Sequence, residues 1–156
     1  MSDGREFLIR PIGVIRSPYT KTGQAPRQGR ERPDVEAEID IFPTFRDGLG
    51  DFSGISHIII LFWFDRANRD TLIARPPGAQ ENRPVFMTRS PNRPNPVGFD
   101  VAEIIAVEGA RIRVTGCDAL DGTPVIDIKP YVPSLDCIPG ASDPRAAGRG
   151  REPRRA

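Results

Sequence analysis

Apolar positions in this chain mostly recur every second residue over short stretches, the beat of a strand with one covered face. Val35 to Phe42 (VEAEIDIF) alternates apolar with acidic residues and predicts a half-exposed strand. Ala110 to Gly116 (ARIRVTG) keeps the same beat with arginines as the polar partners, and Glu108-Gly109 just before it supplies a tight connection. Phe7 to Ile15 alternates loosely around Pro11 and Gly13, which predicts a first strand of edge or bulged type. Ile55 to Phe64 (ISHIIILFWF) is continuously apolar and rich in β-branched and aromatic residues, so it predicts a central strand buried on both faces. His57 and Trp63 inside that run read as core residues. Pro84 to Thr88, Val97 to Val107 and Val125 to Ile128 add three further strands, the last ending at the Pro130 to Pro133 turn. Helical spacing is confined to PTFRDGLGDF after Phe42, where Phe45, Leu49 and Phe52 recur.

The 17 prolines and 15 glycines cut these segments short and leave little room for long helices. Short strands with Gly/Pro turns and no helix–strand alternation predict an all-β (mainly) fold, a small β-barrel with short helical turns. A nucleotide-binding α/β fold would carry a glycine-rich strand-to-helix turn, and neither GxGxxG nor GxxxxGK[ST] occurs. Residues 1–137 are expected to form the barrel domain, and 138–156 an Arg-rich, disordered tail. Ser17 to Pro33 is a long polar loop, a length that usually carries function or disorder.

Charge sharpens this division. The whole chain is +1, yet after Cys137 five arginines face Asp143 and Glu152, which leaves the preceding body at −2. RNA contact would therefore come from a local patch or from the tail rather than from a generally basic surface. No apolar run approaches the roughly 20 residues of a membrane span. The charged start MSDGREFLIR does not read as a signal peptide, so the expected compartment is the cytoplasm. Cys117, Cys137 and the single histidine cannot assemble a familiar structural zinc set, and no metal is expected. The two cysteines read as packing residues.

Four segments are too polar and too stiff for a plain β core. Ala25-Pro26-Arg27-Gln28-Gly29 offers planar multi-donor side chains. Thr88 to Gly98 (TRSPNRPNPVG) sets Arg89, Arg93 and Asn95 on a frame of three prolines, so these groups lose little entropy on meeting a ligand. In DALDGTP, a hairpin turn explains Asp121-Gly122 but leaves Asp118 unaccounted for. Asp127 and Lys129 share a strand face next to Tyr131 and could simply pair.

Together IGVIRSPY, APRQG, GISHIIILFWF, TRSPNRPNPVG and DALDGTPVIDIKPY resemble, in order and spacing, the TrmO (YaeB/TsaA-like) family over about Ile9 to Asp136. The resemblance implies a TsaA-like β-barrel homodimer that binds S-adenosyl-L-methionine. It implies methyl transfer to N6 of N6-threonylcarbamoyladenosine beside the anticodon of tRNA. Carried over by motif, Pro26, Arg27, Gln28, Asp65, Arg66, Arg89, Phe99, Thr115, Gly116, Cys117 and Asp118 would hold the cofactor. Two positions depart from the pattern of longer members: Asp65 stands where they have histidine, and Asp100 where they usually have serine. The Arg-rich tail stands where those members carry a further C-terminal domain.

A sulfonium donor calls for carboxylates, carbonyls or aromatic faces, which Asp65 and Asp118 supply, while Arg89 suits the donor's carboxylate. The candidates for accepting the acceptor nitrogen's proton are Asp118, Asp121, Asp127 and Tyr131, with no choice among them. Arg93, Asn95 and Lys129 are candidates for holding the substrate. A small metabolite or a protein as acceptor, or a non-catalytic adaptor that binds S-adenosylmethionine, are the alternatives.

Overall fold

A computed structural model describes residues 3–146. Six strands close into an antiparallel barrel: β1 (Gly13–Arg16), β2 (Glu36–Ile41), β3 (His57–Trp63), β6 (Val97–Glu108), β7 (Arg111–Thr115) and β8 (Pro124–Pro130). Their order around the wall is β1-β2-β7-β6-β3-β8, and β8 pairs back to β1. A two-stranded arm of β4 (Ile73–Ala74) and β5 (Arg83–Pro84) stands apart from it. No helix among the described residues is long and apolar enough to cross a membrane.

The alternating segments give the barrel its inside and outside. Ala37, Ile39 and Ile41 of β2 turn inward and are buried. Their acidic neighbours turn outward and meet the arginines of β7: Arg111 Nε donates to Asp40 Oδ1 at 2.8 Å, and Arg113 Nε to Glu36 Oε2 at 3.3 Å. Opposite charges across a strand pair reinforce the register that the apolar beat sets. Ile58, Ile60 and Phe62 of β3 fill the centre with Ile112, Val114 and Val125. The 3₁₀ turn Pro43–Gly48 follows Phe42, and Phe45, Leu49 and Phe52 pack against the core.

Several expected segments differ. The first strand is confined to Gly13–Arg16, because Pro11 lacks a ladder donor and residues 3–12 run without strand pairing. The arm formed by β4 and β5 was not foreseen as such. Of the expected Pro84–Thr88 strand only Pro84 lies in a strand, at the end of β5; Val85–Met87 turns into a 3₁₀ helix that sinks Val85 into the interior and is closed by Thr88 Oγ1 donating to the Val85 carbonyl at 2.9 Å. β3 is not buried on both faces: its odd positions, His57 and Trp63 among them, lie half-buried on the outer wall. There His57 Nδ1 lies 2.8 Å from Ser56 Oγ, and the Arg69 guanidinium sits 5.2 Å over the Trp63 ring. Cys117 is buried, while Cys137 is exposed. Residues 138–146 are exposed where burial is described and include a short 3₁₀ turn at Pro144–Ala146; the rest of the Arg-rich segment lies outside the described residues.

The unequal lengths of β6 and β7 leave a gap in the wall. β6 has 12 residues and β7 only 5, so β6 pairs with β3 along its first half and with β7 along its second, with a bulge between Ile104 and Ala106. Beside the first half of β6, past the end of β7, the wall is completed by Gly116–Asp118 and by the 3₁₀ turn Gly29–Glu31.

Candidate functional site

The gap beside β6 is closed by backbone, and glycines make the closure possible. Gly29 lies against the peptide of Gly116, where any Cβ would overlap the Gly116 carbonyl. Gly116 itself has φ +84°, a left-handed conformation that a side chain resists. The loop around Gln28 is thereby pressed onto the Thr115 to Asp118 segment.

The proline-framed loop reaches the same place. Arg89 Nη1 donates to Gln28 Oε1 at 2.9 Å, a link across 61 residues of sequence, and the Arg89 charge is felt at Asp118. Gln28 Nε2 in turn donates to the Arg27 carbonyl at 2.8 Å, and Glu31 accepts from the Arg27 N–H at 3.2 Å. Gln28, Gly29, Arg89, Gly116, Cys117 and Asp118 therefore share one stretch of the wall.

Beneath them lies Asp100, which faces into the barrel between Gly98 and Ala102, opposite Ile60. It is only 4% exposed, and its Oδ2 accepts the Asp118 N–H at 3.0 Å. Among the described residues neither carboxyl has an ion-pair partner. Burial and the neighbouring Asp118 charge push the Asp100 carboxyl up to about 8. Burial likewise raises Asp118, to about 6. Shielded from water and close to each other, the two carboxyls are both held above the ordinary carboxylate range. Burial also pushes the adjoining Cys117 thiol well up, which makes it a packing group rather than a nucleophile.

The other expected residues are distributed around this centre. Asp65 and Arg66 are exposed and, with Phe64, Leu120, Asp121 and Thr123, line a small cleft of about 50 Å³. Asp121 is occupied in holding the loop: its Oδ1 accepts the Ser17 N–H at 3.1 Å and its N–H donates to the Tyr19 carbonyl at 2.7 Å. Pro26 is half-buried beside the exposed Arg27, and Thr115 ends β7. Arg93 turns back to bond the Thr88 carbonyl at 2.9 Å and the Ser90 carbonyl at 3.2 Å, so it stiffens its own loop. Asn95 is exposed at the start of β6.

Phe99, Asp127, Lys129 and Tyr131 belong to the outer wall. Phe99 is 48% exposed and pairs with Leu61, which on its other side pairs with Asp127. Lys129 Nζ binds Asp127 Oδ2 at 2.9 Å, and the Tyr131 ring stands edge-on to His57. The β-sheet itself separates Asp127 and Tyr131 from the Asp100–Asp118 pair. Among the described residues no three His, Cys, Asp or Glu side chains assemble as a metal-ligand group.

A family model described as the tRNA-methyltransferase O N-terminal domain matches residues 14–137, the barrel and all four loop segments. The chain belongs to this family. An S-adenosyl-L-methionine-binding protein of Archaeoglobus fulgidus is 52% identical over 132 residues, covering 85% of this chain and 94% of that protein. The tRNA (adenine(37)-N6)-methyltransferase of Escherichia coli is 36% identical over 148 residues, covering 87% of this chain and 62% of the enzyme. A crystal structure of TrmO superposes with a TM-score of 0.79 at 35% identity, over 91% of this chain and 65% of that one. The chain thus spans nearly all of the archaeal protein but less than two thirds of the bacterial enzyme.

Asp100, buried beneath Asp118, is not among the residues expected at the site from the sequence. Its signal was present in GFDVAEIIAV, where the acid shares parity with Gly98 and Ala102 and so belongs to the inward face.

Proposed function

We propose that this chain transfers the methyl group of S-adenosyl-L-methionine to N6 of an adenosine in tRNA. The acceptor on this reading is N6-threonylcarbamoyladenosine beside the anticodon, and the setting is the cytoplasm. The observation that carries the reading is the meeting of Arg89, Gln28 and the Asp100–Asp118 carboxyls on one glycine-closed stretch of wall, within the segment that matches the family.

These residues fit the donor by charge. The two carboxyls have no cation of their own among the described residues and suit a sulfonium. Arg89, exposed and already oriented by Gln28, suits a carboxylate. S-adenosylmethionine, when bound, supplies an electrophilic methyl group. The acceptor nitrogen is conjugated with the purine and the carbamoyl group, so it is a poor nucleophile and must lose its proton. Asp118, half-buried beside Gln28 and Arg89 and raised by burial toward neutral pH, takes that proton. Alignment of nitrogen, methyl and sulfur supplies the larger share, worth about 7–11 kcal/mol in favourable cases. An anticodon loop is single-stranded, so the base reaches the site without opening a duplex.

The outer wall supports a homodimer. Ile59, Leu61, Trp63, Val97, Phe99 and Val101 form a contiguous apolar face on β3 and β6 at which Phe99 is half exposed. A second copy seated there would bring Phe99 and Lys129 of each subunit to the contact. Asn95, exposed just before β6, is kept as a substrate contact, whereas Arg93 serves its own loop and Lys129 pairs with Asp127 on the outer wall.

Nucleoside mass spectrometry of tRNA from a strain lacking its own tRNA-methyltransferase O tests the reading. Expression of this chain should restore the methylated threonylcarbamoyladenosine. An unchanged nucleoside profile, together with retained binding of S-adenosylmethionine, would move the acceptor to a small molecule or protein or leave an adaptor.

A further inference from the structure

Asp100 is placed where a strand in a barrel wall ordinarily carries an apolar side chain. Its neighbours on the inner face are Gly98 and Ala102, its cross-strand partner is Ile60, and no cation bonds it among the described residues. A buried carboxylate in such a place needs either a proton or a positive ligand, because a bare charge out of water is strongly disfavoured. Asp118 cannot be that positive partner. Its N–H holds Asp100 Oδ2, but its own side chain adds a second acid to the same spot. Two neighbouring carboxyls, one of them buried and neither ion-paired among the described residues, make a switchable charge.

We propose that Asp100 and Asp118 form a proton-linked counter-charge for the sulfonium of the methyl donor. The free pair holds one proton between the two carboxyls. Entry of the sulfonium expels that proton to solvent and leaves two carboxylates beside one positive sulfur. The demethylated product has a neutral thioether, so the pair keeps its proton when product is bound. The site thereby distinguishes donor from product by charge, and Asp100 acts on the ligand through Asp118 as a positioning residue. The inference rests on the reading of this wall as the S-adenosylmethionine site.

The groups that face the pair set the pH range. Glu31 of the 3₁₀ turn opposes ionisation of Asp118, and Arg89 of the proline-framed loop favours it. The buried Cys117 lies alongside as a neutral thiol. Burial raises both acids, with Asp100 near 8 and Asp118 near 6, so one proton resides on the free pair across neutral pH.

Isothermal titration calorimetry of the full chain with S-adenosylmethionine and with S-adenosylhomocysteine, in phosphate and in Tris, reads the protons directly. The expected result near neutral pH is release of about one proton per site with the sulfonium and none with the thioether. The ratio of the two affinities should rise about tenfold per pH unit between about pH 6 and 8, then level off. Asp100→Asn, which keeps an acceptor for the Asp118 N–H, should abolish the proton release and flatten the pH dependence of the ratio. A circular dichroism spectrum checks that the variant folds, and Asp118→Asn should flatten the same ratio independently. Equal proton release with both ligands, or none with either, overturns the inference and leaves the site assignment standing. Binding of neither ligand removes the site assignment itself.

Discussion

Gly29 rests directly on the peptide of Gly116, closer than any side chain permits, and this contact locks the Gln28 loop onto the end of β7. Gly29→Ala must push the two segments apart, since the obstacle is backbone on both sides. S-adenosylmethionine affinity should fall at least about tenfold, equivalent to about 1.4 kcal/mol. Gly48→Ala, with open space around it, should change thermal stability by less than about 0.5 kcal/mol and leave binding alone. Titration calorimetry and a melting curve on both variants check the pair.

Arg89 bonds Gln28 with one guanidinium nitrogen, and among the described residues the rest of its planar fork makes no other hydrogen bond. Arg89→Lys keeps the charge but loses the fork. The expected outcome is a roughly tenfold weaker S-adenosylmethionine affinity with an unchanged melting temperature, because the side chain is exposed. A melting temperature that drops with no loss of affinity would make the contact structural.

Stability should depend on pH through Asp100. Its folded-state carboxyl is raised to about 8 from an ordinary 3.8, so the folded protein binds a proton that the unfolded chain releases. The associated stability is fully present below about pH 4 and is lost as pH rises toward about 8. Other carboxylates act in the opposite sense at the acid end, so the slope is cleanest between about pH 6 and 8. Asp100→Asn should flatten that slope and melt higher than the parent at pH 8, by roughly 2–4 °C for each kcal/mol recovered. Melting curves across that window decide it.

The apolar outer face predicts an oligomer. Leu61 points outward between Phe99 and Asp127, away from the core. Leu61→Arg should leave the barrel folded and convert a dimer to a monomer in analytical ultracentrifugation. A parent protein that sediments as a monomer would remove the dimer from the account.

How far the sequence disclosed all this depended on whether parity could be read. In Val35–Phe42 acids mark the outer face, so the strand and its inner residues were legible. In ISHIIILFWF no polar residue marks a face, so the half-exposed positions of His57 and Trp63 were hidden. Val85-Phe86-Met87 looked extended because three consecutive apolar residues suit a strand, yet in the 3₁₀ turn only Val85 is buried while Phe86 and Met87 face out. Arg89, Gln28 and Asp118 were legible as chemistry because proline-framed and turn segments exceeded what structure alone required. Their meeting was not, since it depends on β6 outrunning β7. Asp100 was noticed as a departure from longer relatives, but only the closed barrel shows it buried under Asp118.

The most direct measurement is methyl transfer in vitro. Purified protein, S-adenosylmethionine with a deuterated methyl group and tRNA carrying N6-threonylcarbamoyladenosine are incubated, and the nucleosides are separated by mass. The label is expected on the threonylcarbamoylated adenosine, with most of that signal lost in Asp118→Asn. Label on no nucleoside, from protein shown to bind the donor, would contradict it.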